Sequence, residues 1–326
     1  MARPLRMESV GGVYHVLSRG NYRSAVFRSD RTKEAFLRCL GEACVRTGWR
    51  IHAWCIMSNH YHLAISTPDS NLVDGMHWLL GTFATRFNQF RQERGHVFQG
   101  RYKSFIVEAN EGLGPLCHYI HLNPVRAGLC DVPTLARYRW TSLRWLSQGS
   151  GASAWYDGQP ALVHAGGLRR TGAGMRLYLA YLAWLAEDEP ARKRLRFESM
   201  SKGWIIGTQQ FAQAMMEAHR GLATRGLERT SDLQAAREAR WAELLAEELI
   251  KIGRGTADLA STGKSVEWKL RLACVLRART TVTNRWLGAQ LHLGVRDEVS
   301  RKLSTWRRRT AGKETESDGS TTDHIR

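Results

Sequence analysis

Two histidines one residue apart, His60 and His62, are the first candidates for chemistry. Between Cys55 and Ile65, apolar residues lead into a polar break at Ser58-Asn59 and resume after it, a pattern typical of two strands joined by a tight turn. Because side chains alternate faces along a strand, both imidazoles project from one side, about 7 Å apart. Such a pair could hold a divalent cation. The chain has 12 histidines, so the spacing can also arise by chance, and a third ligand and a nucleophile are needed to support a site.

Candidates for the third ligand and for the nucleophile both lie within residues 114–124. Pro115 favours the first turn of a helix, and Pro124 discourages continuation of the helix. Tyr119 and Asn123 are four residues apart, so they would share one face of that helix. The ordinary pKa of a phenol is about 10, and a nearby dication would favour the nucleophilic phenolate. The Asn123 carbonyl would be the third ligand. A core tyrosine and a helix-capping asparagine are the alternative interpretation.

These residues together resemble a known family, the single-tyrosine, HUH-type transposases. The matching segments are His60-Tyr61-His62, Tyr119 with Asn123, and Asn123-Pro124-Val125-Arg126-Ala127-Gly128-Leu129. Two more segments resemble one bacterial branch, the REP-associated tyrosine transposases (RAYTs): Ser18-Arg19-Gly20-Asn21-Tyr22-Arg23 and Phe98-Gln99-Gly100-Arg101-Tyr102-Lys103-Ser104. The resemblance covers about residues 8–146, with the motifs in the family's order, and it departs at Ser58, where the family usually has proline.

The resemblance implies a transposase and nuclease that cleaves and rejoins single-stranded DNA at hairpin, REP-like sequences. Tyr119 would attack the scissile phosphate and form a 5′-phosphotyrosine with a free 3′-hydroxyl. His60, His62 and Asn123 would hold Mg²⁺ or Mn²⁺, although related enzymes use Gln or another oxygen donor at the third position. The branch implies a monomer, while related transposases are homodimers that exchange their catalytic helices, and both possibilities stay open.

Composition agrees with a DNA partner. The formal charge of +18 and the isoelectric point near 10.2 predict attraction to polyanions that weakens steeply with salt. A membrane surface could exploit the same charge, but the sequence has neither a spanning apolar run nor an apolar leader, so we expect a cytoplasmic, nucleoid-associated protein without a membrane partner. The six cysteines contain no C-x2-C pair, which argues against disulfides and thiolate zinc. No small-molecule cofactor is expected.

The elements that must position these residues are predicted from hydrophobic periodicity. Strands are predicted at 12–17, 49–57, 60–66 and 99–107, and helices at 30–46, 72–94 and from Pro115. Their order, strand-helix-strand-strand-helix-strand-helix, predicts an α+β, ferredoxin-like antiparallel sheet with helices on one face. This is the HUH nuclease core that the resemblance also implies, over residues 1–148.

Several basic and polar residues of this domain are candidate DNA contacts. Arg19 and Asn21 follow the first strand in a turn, and the resemblance assigns them to DNA. Arg101, Tyr102 and Lys103 interleave charge with an aromatic ring, a pattern that suits phosphates and unpaired bases. Arg126 belongs to the motif that follows Asn123. A strand and a solvated loop would explain the same residues without DNA.

The rest of the chain is predicted to be a separate helical domain. Residues 149–174 are rich in Gly, Ala and Ser and are interpreted as a linker. Helical spacing dominates residues 175–310, and residues 281–303 have the pattern of a helix-turn-helix, with Arg296, Ser300 and Arg301 on its second helix. Any helical hairpin can mimic that pattern. Residues 311–326 are predicted to be a disordered tail.

Two other functions are compatible with the sequence. The chain could be a catalytically silent, sequence-specific DNA-binding regulator, in which case Tyr119→Phe would change no activity. It could also be a metal-dependent nuclease that uses water, in which case DNA would be cut without becoming attached to the protein.

Overall fold

The computed structural model describes residues 8–146, 153–223 and 228–317, with side chains for all of these except 218–237 and 310–317. The chain divides into two units, Met1–Gly226 and Leu227–Arg326. Each unit has its own hydrophobic core. Among the described residues, no helix is both long and apolar enough to cross a membrane.

Unit 1 is built on a five-stranded sheet. Its strands are β1 Val13–Arg19, β2 Arg50–Ile56, β3 His60–Ser66, β4 Lys103–Val107 and β5 Ile205–Ile206. The spatial order is β2-β3-β1-β4-β5. The first four strands in this order pair antiparallel, and β5 is parallel to β4. In the register of β1 and β3, Arg19 pairs with His60 and Leu17 with His62, which brings the end of the first strand next to the histidine pair.

Eight described helices accompany the sheet. They are α1 Asp30–Thr47, α2 Leu72–Arg91, α3 Leu113–Arg126, α4 Leu143–Leu146, α5 Gln159–His164, α6 Gly172–Glu187, α7 Glu189–Arg194 and α8 Gln209–Ala223. Helix α1 ends at Thr47, one residue beyond the predicted range, and Gly48 caps it in the left-handed conformation (φ 71°) and donates its N–H to Cys44 O. The predicted α+β class is confirmed.

Helices cover both faces of the sheet, so the prediction of helices on one face is wrong. Tyr14 and Val16 pack with α1 and α2 on one side, whereas Val13 and Ala64 pack with α3 on the other. The reason lies in α3 itself, because every residue from Leu113 to Pro124 is buried. A helix that is buried all round needs cover on every side. The sheet supplies one side, and residues of α5, α6 and α7 supply the other.

Helix α3 also continues further than predicted. Pro124 lies inside it, and the helix ends at Arg126. Proline removes only one N–H donor, and here that loss falls in the last turn, where Ala127 N–H still donates to Asn123 O at 3.0 Å. The consequence is that Asn123 and Arg126 lie on one continuous helix with Tyr119.

The predicted linker does not match the structural division of the chain. Within residues 153–174, Ile51 N–H donates to Trp155 O, and Asp157 N–H donates to Ile51 O, both at 2.9 Å. Tyr156 is buried in the core with α3. Large aromatic rings bury enough area to order a segment whose composition otherwise resembles a linker. Residues 147–152 lie outside the described part.

Unit 2 is helical in its described part, with α9 Glu228–Lys251, α10 Thr256–Ser261, α11 Glu267–Arg279, α12 Asn284–Gln290 and α13 Arg296–Ser317. Thr283 caps α12 by accepting a hydrogen bond from Trp286 N–H at 3.2 Å. Helices α12 and α13 and the turn between them occupy the predicted helix-turn-helix segment; its contact with DNA stays a prediction. Part of the predicted tail, up to Ser317, belongs to α13, and residues 318–326 lie outside the described residues.

Candidate active site and nucleic-acid interface

A cavity of about 620 Å³ in unit 1 brings the predicted chemical residues together. His60 and His62 reach it from β3, and Tyr119 and Asn123 reach it from α3. His62 and Tyr119 are 57 residues apart in the chain, so the fold, and not local sequence, creates this juxtaposition. Four basic side chains also line the cavity: Arg19, Arg101, Lys103 and Arg126.

Three rings form the centre of the cavity. The His60 and His62 rings lie 5.1 Å apart between centroids, and the Tyr119 ring is 5.9 Å from that of His62, edge to face. Tyr119 is only 4% exposed. The phenol of the predicted nucleophile therefore lies beside the predicted metal ligands and is shielded from bulk solvent.

A buried hydrogen-bond chain fixes the tautomer of His62. His15 Nδ1 lies 2.6 Å from Met200 O, and a carbonyl can only accept, so His15 carries its proton on Nδ1. Its Nε2 must then accept from His62 Nδ1–H, 2.9 Å away. His62 Nε2 is left with the lone pair that a metal ion needs.

The second histidine is oriented by its neighbour in the turn. His60 Nδ1 lies 2.6 Å from Asn59 Oδ1, so His60 donates from Nδ1 and likewise has its lone pair on Nε2. Both imidazoles are thus in the tautomer that suits coordination through Nε2.

Burial keeps both rings neutral. It lowers the pKa of His60 to about 4, assisted by the positive charge of Arg19. It also lowers the pKa of His62 well below its ordinary value, with further contributions from His15, His60 and Arg126. Neutral imidazole is the form that binds a cation, so the pair is prepared for a metal at neutral pH.

Asn123 is placed less favourably for its predicted role as third ligand. Its Oδ1 accepts a hydrogen bond from Arg126 Nη1 at 3.3 Å. Its Nδ2 is buried, and within the described part of the chain it has no hydrogen-bond partner. The Arg126 guanidinium also lies 4.5 Å from the centroid of the Tyr119 ring. A metal bound to Asn123 Oδ1 would share that oxygen with the Arg126 guanidinium, whose positive charge opposes a second cation there.

Among the described residues, no three or more His, Cys, Asp or Glu side chains are grouped to hold a metal ion. The donor set at this cavity is of a different kind, with two imidazole nitrogens and oxygen atoms from an amide or from a bound phosphate. Two neutral imidazoles with matched tautomers fit a divalent cation that takes its remaining ligands from the substrate or from water.

The comparisons with known proteins address the same part of the chain. Residues 9–123 match the family model described as "Transposase IS200 like". Residues 9–123 form an IS200-like transposase domain. The match contains both histidines, Tyr119 and Asn123, and it confirms the recognition of a transposase from the motifs. Transposases act on DNA, which places the domain in a class of enzymes with a DNA substrate.

The chain is similar to a solved structure of a REP-associated tyrosine transposase bound to a REP hairpin, at 15% sequence identity and a TM-score of 0.39, covering 48% of this chain and 92% of that one. None of the curated proteins matches the chain.

The predicted DNA contacts of the transposase domain lie in three places: the cavity, the turn after β1, and the core. Arg19, Arg101, Lys103 and Arg126 line the cavity. Asn21 lies in the turn just beyond Arg19. The interpretation of Tyr102 as a stacking residue is wrong, because its ring is 6% exposed and packs in the core with α1 and α2. It alternates with Arg101 and Lys103, so when those two face the cavity Tyr102 faces the opposite side of the sheet.

The predicted contacts of the second unit lie on α13. Arg296, Ser300 and Arg301 are exposed on this helix. Val299 and Leu303, on the opposite side of α13, are buried in the core of unit 2. The helix therefore presents a polar face to solvent, and the role of that face is a proposal.

Two residues that position the histidines were missed from sequence. His15 was interpreted as part of an apolar strand, and Asn59 as part of a turn. A histidine inside a run of apolar residues is itself a weak signal of a buried polar contact. Its partners, 47 and 185 residues away, could be identified only from the fold.

Proposed function

We propose that the transposase domain cleaves and rejoins single-stranded DNA, with Tyr119 as the nucleophile. The observation that carries this proposal is the phenol ring of Tyr119 beside the His62 ring in a cavity lined by four basic side chains. Cations around a nucleophile suit a phosphodiester backbone, and the buried site limits access of competing water.

The proposed step conserves the phosphodiester. The Tyr119 oxygen attacks the phosphorus, a new O–P bond forms, and the bond between phosphorus and the 3′ oxygen breaks. The phenol proton passes to solvent, and the departing 3′ oxygen takes up a proton to become a hydroxyl. The 5′ phosphate stays on Tyr119, and a 3′-hydroxyl can reverse the step and join strands without another energy source.

His60 and His62, with an oxygen donor such as Asn123, would hold a divalent metal such as Mg²⁺ or Mn²⁺. When bound, the metal would polarise the scissile phosphate and stabilise charge on it. Arg126, whose guanidinium lies over the Tyr119 ring, can contact the scissile phosphate. Arg19, Arg101 and Lys103 would hold the flanking backbone.

The substrate class follows from the motifs that resemble the RAYT branch, which lie at residues 18–23 and 98–104. We propose a hairpin with an adjacent single-stranded recognition sequence. Both motifs contribute to the cavity, Arg19 from the first and Gln99, Arg101 and Lys103 from the second. Unit 2 would add a second DNA contact through the predicted helix-turn-helix at residues 281–303.

Formation of a covalent adduct is the decisive test. The full chain would be incubated with labelled hairpin oligonucleotides and Mn²⁺, and a denaturation-resistant protein-DNA product would be sought. We expect an adduct with the wild-type chain, none with Tyr119→Phe, and unchanged adduct formation with Tyr181→Phe, a matched tyrosine on α6. Tyr119→Phe should still bind the same oligonucleotide. The substitution removes the attacking hydroxyl but leaves the basic side chains that contact the DNA backbone.

The alternatives predict different products. A nuclease that uses water would cut the oligonucleotide without an adduct, and Tyr119→Phe would still cut. A silent regulator would bind the hairpin and yield neither product. Either outcome would exclude Tyr119 as the nucleophile.

A further inference from the structure

Tyr22 is the feature that the proposed chemistry leaves unexplained. Its side chain is 92% exposed, although a tyrosine normally buries its ring. It lies three residues after the end of β1, in a short turn, Asn21–Arg23. A fully solvated ring contributes little to folding, so its position suggests contact with something outside the chain.

The backbone at Tyr22 is held in an unusual conformation. Tyr22 has φ 50° and ψ 29°, and Arg23 has φ 58°. Residues with a Cβ seldom adopt this left-handed region, which favours glycine and asparagine. Local hydrogen bonds maintain it, from Tyr22 N–H to Asn21 Oδ1 at 3.1 Å and from Arg23 N–H to Gly20 O at 3.0 Å. Strain that the surrounding structure maintains is common at ligand-binding positions.

The turn is fixed to the turn that precedes the metal-ligand candidates. Gly20 N–H donates to Asn59 O at 2.8 Å, and Asn59 Nδ2 donates to Arg23 O at 3.4 Å. The same Asn59 accepts from His60 through its Oδ1. Asn21 N–H donates to Val97 O at 2.9 Å on the other side. The backbone of Tyr22 is therefore held in a defined position relative to His60.

The charges around Tyr22 indicate the chemistry of its ligand. Arg19 and Arg23 flank the ring in sequence and are both exposed, and Arg19 lines the cavity. An aromatic face between cations that can bind phosphates suits single-stranded nucleic acid, in which bases stack and the backbone is neutralised. A duplex would not present a free base face to a single ring.

We propose that Tyr22 is a stacking platform for one unpaired nucleobase beside the scissile phosphate. The inference rests on the proposed function for its substrate, single-stranded DNA, and assigns a base-binding position on that substrate. Stacking is tolerant of base identity, so Tyr22 fixes the register of the strand relative to Tyr119, while sequence preference comes from other contacts.

The test places 2-aminopurine, a fluorescent base quenched by stacking, at each single-stranded position of a hairpin oligonucleotide in turn. With the full wild-type chain we expect quenching at one position. Tyr22→Asn keeps a residue that tolerates the left-handed conformation but removes the ring. It should abolish the quenching and weaken binding on the order of 5- to 150-fold. Tyr22→Phe should retain both. Trp184→Ala, at an exposed ring on α6, is the control and should bind as wild type.

Wild-type quenching and affinity in Tyr22→Asn, with an unchanged circular dichroism spectrum, would overturn the inference. Adduct formation is measured separately, so the two proposals fail independently. Quenching that depends on Tyr22 without any adduct would support the platform and reject the nucleophile. Adduct formation together with wild-type DNA affinity in Tyr22→Asn would support the nucleophile and reject the platform.

Discussion

At the scale of single residues, the site depends on protons that are placed by hydrogen bonds outside the ligand set. His62 can offer Nε2 to a metal only while its proton stays on Nδ1, and His15 provides the acceptor that keeps it there. Met200 O in turn fixes the proton of His15. Residues that orient metal-binding histidines in this way commonly change affinity by about 10- to 100-fold when replaced.

We therefore predict that His15→Phe lowers the affinity of the full chain for Mn²⁺ by about 10- to 100-fold. Phenylalanine has a similar shape but cannot accept the hydrogen bond from His62 Nδ1–H. The proton of His62 can then move to Nε2, which removes the lone pair that would bind the metal. Calorimetric titration with Mn²⁺ measures the effect without DNA or turnover.

A second buried histidine provides the control. His52 on β2 also makes two hydrogen bonds, to Asp157 O and to Ser66, but it does not line the cavity. His15→Phe and the control His52→Phe each leave buried polar groups unpaired and should cost roughly 1–3 kcal/mol of stability. Equal Mn²⁺ affinity in the two variants would show that His15 has no positioning role.

The sequence identified the residues that reach the cavity, but not those that hold them. His60, His62 and Tyr119 were found because periodicity places them on defined faces of a strand and a helix. Tyr102 was misassigned by composition, although strand alternation between Arg101 and Lys103 already placed it on the opposite face. His15 acts through contacts distant in sequence, which local patterns do not encode.

At the scale of elements, helix α3 is held in place by a second buried polar network. His118 Nδ1 and His121 Nδ1 lie 2.9 and 2.8 Å from the Tyr178 hydroxyl of α6. His121 Nε2 lies 2.9 Å from Ser142 Oγ. Both histidines come from the helix that carries Tyr119. The network fixes the orientation of α3 under the sheet, since buried polar groups are costly to leave unpaired.

This network predicts a pH dependence of stability. Burial lowers the pKa of His121 to about 3, whereas its ordinary value is about 6.5. Between these values the unfolded chain binds a proton that the folded chain does not, so the free energy of unfolding falls as the pH falls below 6.5. The loss is on the order of 1 kcal/mol per pH unit for this residue.

Urea unfolding of the full chain at pH 7, 6 and 5 measures that slope. His121→Gln retains hydrogen-bonding groups and does not titrate, so its stability should decline less steeply than that of the wild type, by about 1 kcal/mol per pH unit below pH 6. His96→Gln, at an exposed histidine, should retain the wild-type slope. Parallel slopes in all three proteins would contradict the prediction.

The sequence predicted which segments form strands and helices, but not which helices pack on which face of the sheet. Strands and amphipathic helices follow from period and capping, as at Gly48. The position of α3 between the sheet and α5–α7 depends on residues that the sequence assigned to a linker, which holds α5, or to a separate helical domain, which holds α7 and most of α6. In the predicted linker, Trp155 and Tyr156 override composition by packing against distant residues, and periodicity alone cannot specify such partners.

At the scale of the whole molecule, positive charge is the common property of both units. The formal charge is +18, which predicts DNA affinity that falls steeply with salt. If the four cations of the cavity contact four phosphates, the logarithm of the association constant for a single-stranded ligand should fall with the logarithm of salt concentration with a slope of about −3. Lys103→Gln should reduce the steepness by about 0.7, as measured by fluorescence anisotropy across a salt series.

The two units should differ in the DNA that they bind. Lys103 lines the cavity beside Tyr119, whereas Arg296 and Arg301 lie on the exposed face of α13. We expect Lys103→Gln to reduce adduct formation on a short hairpin and to leave duplex binding within about twofold. Arg296→Gln with Arg301→Gln should weaken duplex binding by about 30-fold or more, because two contacts are lost and each contributes roughly 1 kcal/mol or more. The same double variant should leave the adduct yield on the short hairpin unchanged. If the double variant lowers the adduct yield as much as Lys103→Gln does, α13 contributes to the cleavage reaction itself. The prediction that the two units bind different DNA would then be wrong.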